Sequence, residues 1–270
     1  MRAFVSSCNR AIRQLASLTA LSACIVHADG SNASVNIVLA HGLGYPPFSM
    51  AGSDGSNLEG LLPRIAEAAL ANCPGVHLEQ MALPWNRAQN LIKTGAVNAI
   101  ITVPTAERLS HLKASAEPVV SPRLLAYSSS NNPSLPELRR VNSLAGYRPF
   151  LIGAYSGSGW SRDNLQGFNV DYSTSKPAQV FIMLDKGRFD LTFENSIVAN
   201  YIIQREGLQG RIVALPASML GRLHWHLLLR QDLPGGDKTL KCFDREIKRL
   251  RNSPRWTSIW RASGVDPASE

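Results

Sequence analysis

Arg108, Glu194 and the run from Gly153 to Gly159 offer the most chemistry in this 270-residue chain. Arg108 lies where a strand-like run, Ala99 to Val103, gives way to a helical one, and a planar guanidinium there can grip a carboxylate through two parallel hydrogen bonds. Glu194 follows the strand-like run Phe189 to Phe193, at the edge where α/β sheets present ligand groups. Its carboxylate either receives an ammonium or sits as a favourable charge at a helix N-terminus. Gly153 to Gly159, with Ser156 in it, matches neither Gly-x-Gly-x-x-Gly nor the Walker A pattern. What remains is a turn before a helix that presents N–H groups to an anion, or an ordinary connection. Tyr45, Phe48 and Trp85 supply an apolar wall with polar tips, or, for Phe48 and Trp85, plain core packing. Arg87, one step past Trp85, reads as structural or exposed.

Other fragments lead nowhere catalytic. Val38 to Gly44 looks like the strand and oxyanion turn of an α/β-hydrolase, but no serine has the two glycines of a Gly-x-Ser-x-Gly elbow. His224-x-His226 puts two rings on one face of a strand-like run, without a third ligand nearby to complete a metal site. No Cys-x-x-Cys is present, so a zinc or thioredoxin-type centre lacks its ligands. No cofactor is implied.

The composition, 44% hydrophobic and 18% charged, excludes an intrinsically disordered chain and suits one or two compact domains. At the N-terminus Arg2, Arg10 and Arg13 precede the apolar stretch Leu15 to Val26, which ends at Ala28 before polar residues, as a secretory signal peptide does. The stretch is shorter than the roughly 20 apolar residues a spanning helix needs. Leu21-Ser22-Ala23-Cys24 also resembles a lipobox, in which Cys24 is acylated and becomes the first residue. Both routes place the mature protein in the periplasm, soluble or lipid-tethered. The formal charge of +8 lacks a basic block with interleaved aromatics, which argues against a nucleic-acid partner. Cleavage of either kind leaves Cys73 and Cys242 in the folded part, either a disulfide in an oxidising compartment or two buried thiols.

The elements that must position these residues follow from hydrophobic periodicity. Strand-like runs are expected at Val35 to Ala40, Val76 to Leu83, Ala99 to Val103, Phe150 to Tyr155, Phe189 to Phe193 and Leu223 to Arg230. Helices are expected at Leu58 to Ala71, Trp85 to Lys93, Thr105 to about Ala114, Lys176 to Leu184, Ile197 to Gln204, Lys238 to Leu250 and Ser253 to Arg261. Ser128 to Pro136, rich in Ser, Asn and Pro, reads as a surface connection. Such alternation gives an α/β architecture with largely parallel sheets.

Several of these fragments fall in one order along the chain. Tyr45-Pro46-Pro47-Phe48-Ser49 follows the first strand, Gly60 precedes the first long helix, and Pro84-Trp85-x-Arg87 opens the second. Thr105-Ala106-Glu107-Arg108 and Leu184-Asp185-Lys186-Gly187-Arg188-Phe189-Asp190 come next. In this order the chain resembles bacterial family 3 extracellular solute-binding proteins, the capture components of amino-acid-type ABC transporters, over residues 35 to 262. It departs from their pattern at Arg64 and Asn98, usually acidic, and at Glu194, where an Asp commonly meets a ligand amine. The hinge approach is also degraded, to Ser115 to Pro122.

The resemblance implies a type II periplasmic binding protein fold: a first lobe at 29–123, a second at 124–222, and a return to the first at 223–270 after the signal peptide at 1–28. A small polar ligand would lie between the lobes and be held by hinge closure, with no covalent chemistry. Implied ligand-binding residues are Arg108, Glu194, Tyr45, Thr105, Trp85 and Ser156, and return of the C-terminal helices implies a Cys73–Cys242 disulfide within the first lobe. The implied partner is a membrane permease, or a sensor, served by a monomer. The same fold also carries enzymes such as cyclohexadienyl dehydratase, where a carboxyl in the cleft acts as acid. The Gly-Gly-Thr-Asn stretch associated with that enzyme is absent here, with Gly153-Ala154-Tyr155-Ser156 near its place.

Overall fold

The computed structural model describes residues 34–52 and 58–267. The expected signal peptide at 1–28 and Cys24 within it lie outside the described residues. From the N-terminal side the elements are β1 (Val35–Gly42), β2 (Met50–Ala51), β3 (Leu58–Glu59), α1 (Leu61–Leu70), β4 (Val76–Leu83), α2 (Trp85–Thr94), β5 (Ala99–Thr102), α3 (Ala106–Leu109) and β6 (Leu112–Ala114). Next come β7 (Leu124–Ser129), α4 (Leu135–Leu138), β8 (Ile152–Tyr155), α5 (Gly159–Asn164), β9 (Val170–Thr174), α6 (Pro177–Asp185), β10 (Leu191–Asn195), α7 (Ser196–Arg205) and β11 (Ile212–Leu215). The chain ends with β12 (His226–Arg230), α8 (Gly236–Arg251) and α9 (Pro254–Ala262).

Two five-stranded sheets result, ordered β4-β1-β5-β12-β6 and β11-β7-β10-β8-β9. Each, with its helices, forms one lobe of a mixed α/β molecule. The expectation of largely parallel sheets is corrected. Within the first sheet β1 pairs in parallel with β4 and β5, but β12 runs antiparallel to β5 and β6. In the second, β7 lies antiparallel between β10 and β11. The strands that enter each lobe from the other one cause this, since they arrive without a crossover helix that would make them parallel.

Strand alternation sets the layers. Ile37 and Leu39 of β1 join the large buried cluster with Leu61, Ile65, Phe243 and Trp260, whereas Ala40 joins Ala88, Ile92 and Leu228 on the α2 side. Helix α1 buries eight of its ten residues, because it packs against α8 and α9 as well as its own sheet. Each large apolar side chain so covered contributes about 1.5–3 kcal/mol. Cys73, in the turn after α1, is bonded to Cys242 of α8, with Cα atoms 5.8 Å apart.

Three expected elements change. The first helix starts at Leu61 instead of Leu58, because Gly60 takes φ 127° and a Cβ there would stand 2.5 Å from the Phe48 carbonyl oxygen. The helix from Thr105 to Ala114 is only the short α3, because Leu112–Ala114 pairs with β12 as β6. The segment from Ser128 begins inside β7, with Ser128 and Ser129 buried and the Ser128 hydroxyl donating to the Asp190 carbonyl at 2.6 Å. Asn98 serves the fold by tying down β1, accepting the Val38 N–H at 2.8 Å and donating to the Asn36 carbonyl at 2.8 Å. Asp190 does likewise for β8, accepting the Leu151 N–H at 2.8 Å.

Candidate ligand cleft

A cavity of about 880 Å³ opens where the C-terminal ends of β1, β5, β8 and β10 converge. Tyr45, Trp85, Arg108, Ser156 and Glu194 all line it. Thr105 does not; its hydroxyl caps α3 by accepting the Arg108 N–H at 3.3 Å. Phe48 is fully buried in the core, and Arg87 is exposed. His224 faces Ser121, with Nδ1 2.9 Å from its hydroxyl, and His226 Nδ1 lies 2.8 Å from the Ser115 carbonyl.

Arg108 is held by short-range geometry. β5 is buried throughout, and the chain leaves it through Val103 and Pro104 into the capped turn of α3. The guanidinium is then fixed by Nη1 donating to the Val103 carbonyl at 2.8 Å and Nη2 donating to Gln89 Oε1 at 3.1 Å. Its Cζ lies 5.6 Å from the centroid of the Trp85 ring, in cation–π range. Only 8% of the residue is exposed, and no ion pair with a carboxylate occurs among the described residues. Burial, then the nearby Arg162 charge, push Arg108 below the usual guanidinium range. A guanidinium stays charged even so.

Glu194 is the next-to-last residue of β10, beside Asn195, the residue that caps α7 by accepting the Val198 N–H at 3.0 Å. Three donors converge on Oε1: the Tyr45 hydroxyl at 2.8 Å, the Asn195 N–H at 2.7 Å and the Asn195 side-chain amide at 2.7 Å. Burial nevertheless pushes its carboxyl up from 4.5 to about 7, against these hydrogen bonds. No cation is paired with it among the described residues.

Several lining residues are not evident from sequence reasoning. Tyr155 and Trp160 come from the second lobe, and Trp225 from the segment leading into β12. Trp225 stacks on Tyr45 with centroids 5.6 Å apart and planes at 19°. Tyr155 carries a usable signal, its place at the C-terminal end of a strand; Trp225 carries none, because only tertiary pairing of Val120 with Trp225 brings it to the cleft. His41 also lines the cavity; burial lowers it to about 4, so it is neutral there, 2.8 Å from Gln80 Oε1.

Two mixed-sheet lobes with charged groups converging on a cleft define a type II periplasmic binding protein. The match to bacterial extracellular solute-binding proteins, family 3, runs over residues 37–261, and the chain belongs to that family. Solved structures agree on the fold. A histidine kinase sensor domain with similarity to periplasmic binding proteins superposes with a TM-score of 0.70 at 18% identity, covering 87% of this chain and all of that one. The substrate binding protein of an amino acid ABC transporter gives 0.65 at 19% identity over 84% of this chain and 98% of that one. The arginine-, lysine-, histidine-binding protein ArtJ from Geobacillus stearothermophilus gives 0.68 at 14% identity, covering 86% and 96%. Among curated proteins no match to the chain was found.

Proposed function

We propose that this protein captures a small zwitterion, an amino acid or a related carboxylate, between its lobes in the periplasm and delivers it to a membrane transporter. One observation carries the reading: Arg108 and Glu194 line the same cavity from different lobes, and neither has a partner of opposite charge among the described residues. Buried charges are costly unless paired. A ligand that brings a carboxylate to Arg108 and an ammonium to Glu194 pairs both at once. Trp85, Tyr45 and the turn around Ser156 then enclose its body.

Binding works by hinge closure: a ligand that touches both lobes favours the closed arrangement by its differential affinity. On this reading the hinge is the pair of segments bridged at Val120–Trp225 and Arg123–Arg222, with lobe boundaries near 123 and 222. A thermal-shift screen of free amino acids and simple carboxylates, followed by calorimetry, tests the reading. A ligand recovered unchanged after binding supports capture, and turnover supports an enzyme of the same fold.

A sensory role is the second reading. The likeness to a histidine kinase sensor domain over that domain's whole length favours it. The ligand site is the same in both readings, and a pull-down of the membrane partner separates them.

A further inference from the structure

We propose that Tyr45 is a positioning residue that turns Glu194 so that only Oε2 is offered to the ligand, and that the same hydroxyl latches the two lobes together. The proposal rests on the zwitterion reading for its ligand half and on geometry alone for its latch half.

Tyr45 sits in the turn after β1, where its N–H donates to the Ser49 carbonyl at 3.1 Å and its carbonyl accepts from Phe48 at 3.0 Å. Its ring is held by the Trp225 stack and by the edge of Phe48, with centroids 5.7 Å apart. The hydroxyl is thereby carried across the cleft to the second lobe. There it donates to Glu194 Oε1 and accepts from the Asn195 side-chain amide, both at 2.8 Å. Asn195 is itself fixed as the cap of α7. The closed arrangement is thus built partly from bonds within the protein, so a fraction of molecules closes before any ligand contact.

The loading of Glu194 is one-sided. All three of its hydrogen bonds found among the described residues end on Oε1. When the carboxyl is neutral its proton therefore belongs on Oε2. An ammonium arriving at Oε2 displaces that proton to solvent and leaves an ion pair. The ionisable side chains that face the carboxyl are Tyr45 after β1, Tyr127 on β7 and Tyr155 at the end of β8, all phenols that burial keeps neutral. Arg108 shares the cavity with it. The Tyr45 hydrogen bond favours the ionised carboxyl, so losing it raises the pH at which Glu194 titrates.

The test compares the wild type with Tyr45→Phe, which keeps the ring and both aromatic contacts. Small-angle X-ray scattering without added ligand reads the latch, and Tyr45→Phe is expected to give a larger radius of gyration. An infrared pH titration reads the carboxylic C=O band, assigned by its loss in Glu194→Gln. In Tyr45→Phe this band is expected to persist to higher pH. Unchanged scattering overturns the latch, and an unchanged titration overturns the positioning role. Neither measurement uses a ligand, so failure of the amino-acid screen counts against the zwitterion reading alone.

Discussion

Gly159, the first residue of α5, lies against the Arg108 guanidinium from the opposite lobe, and a Cβ on it would stand 3.3 Å from Arg108 Nη2. The second lobe thus approaches the proposed carboxylate-binding group with a residue that has no side chain. Gly159→Leu should press on the guanidinium or hold the lobes apart, at the ~1–3 kcal/mol typical of overpacking. That corresponds to roughly 5- to 150-fold weaker ligand binding. Calorimetry on the ligand found by screening checks it, with circular dichroism to show that the fold persists.

Glu194 makes stability depend on pH. Its carboxyl is raised from 4.5 to about 7 in the folded chain, while the unfolded chain releases the same proton near 4.5. Between those values the folded state holds more protons, so stability from this group is present at low pH and is lost as pH rises to about 7. The full loss is at most on the order of 3 kcal/mol. Urea unfolding at about pH 5 and about pH 8 should show wild type losing stability relative to Glu194→Gln, in which this titration is absent. Parallel slopes in the two proteins would contradict the assignment.

The disulfide ties the α1 turn to α8 across 169 positions of sequence. Replacing both Cys73 and Cys242 with Ser should cost about 2–5 kcal/mol of stability. Thermal unfolding of protein lacking residues 1–28 reads the loss. The parent protein should show no free thiol when denatured without reductant.

Much of the fold is legible in the sequence because burial imposes its own period. β4 occupies the expected Val76 to Leu83, and α2 ends at Gly95, whose φ of 83° closes the helix. β2, β3, β7, β9 and β11 are not among the expected strands. β9 is an edge strand whose Val170–Thr174 side chains are all partly or fully exposed, so it carries no apolar alternation. β6 falls inside an expected helix because its three residues are defined by pairing with β12, which local pattern does not encode. In the cleft, Arg108 stands in the short α3 that follows β5, Glu194 stands next to last in β10 before α7, and both strand-to-helix junctions are visible in the sequence. The contact of Tyr45 with Glu194 spans 149 positions and two lobes, and only the folded chain brings the two together.

The mature N-terminus is expected at Asp29, or at acylated Cys24. Intact mass spectrometry of protein from its native host decides between them, and a full-length product would contradict export.

The central claim is that Arg108 holds the ligand's acid group, and calorimetry on Arg108→Ala tests it most directly. Truncating one partner of a buried charge pair costs about 2–5 kcal/mol. The account therefore predicts binding weaker by roughly 30-fold to several thousandfold. Affinity in Arg108→Ala equal to that of the wild type, in a variant that still folds, would contradict it.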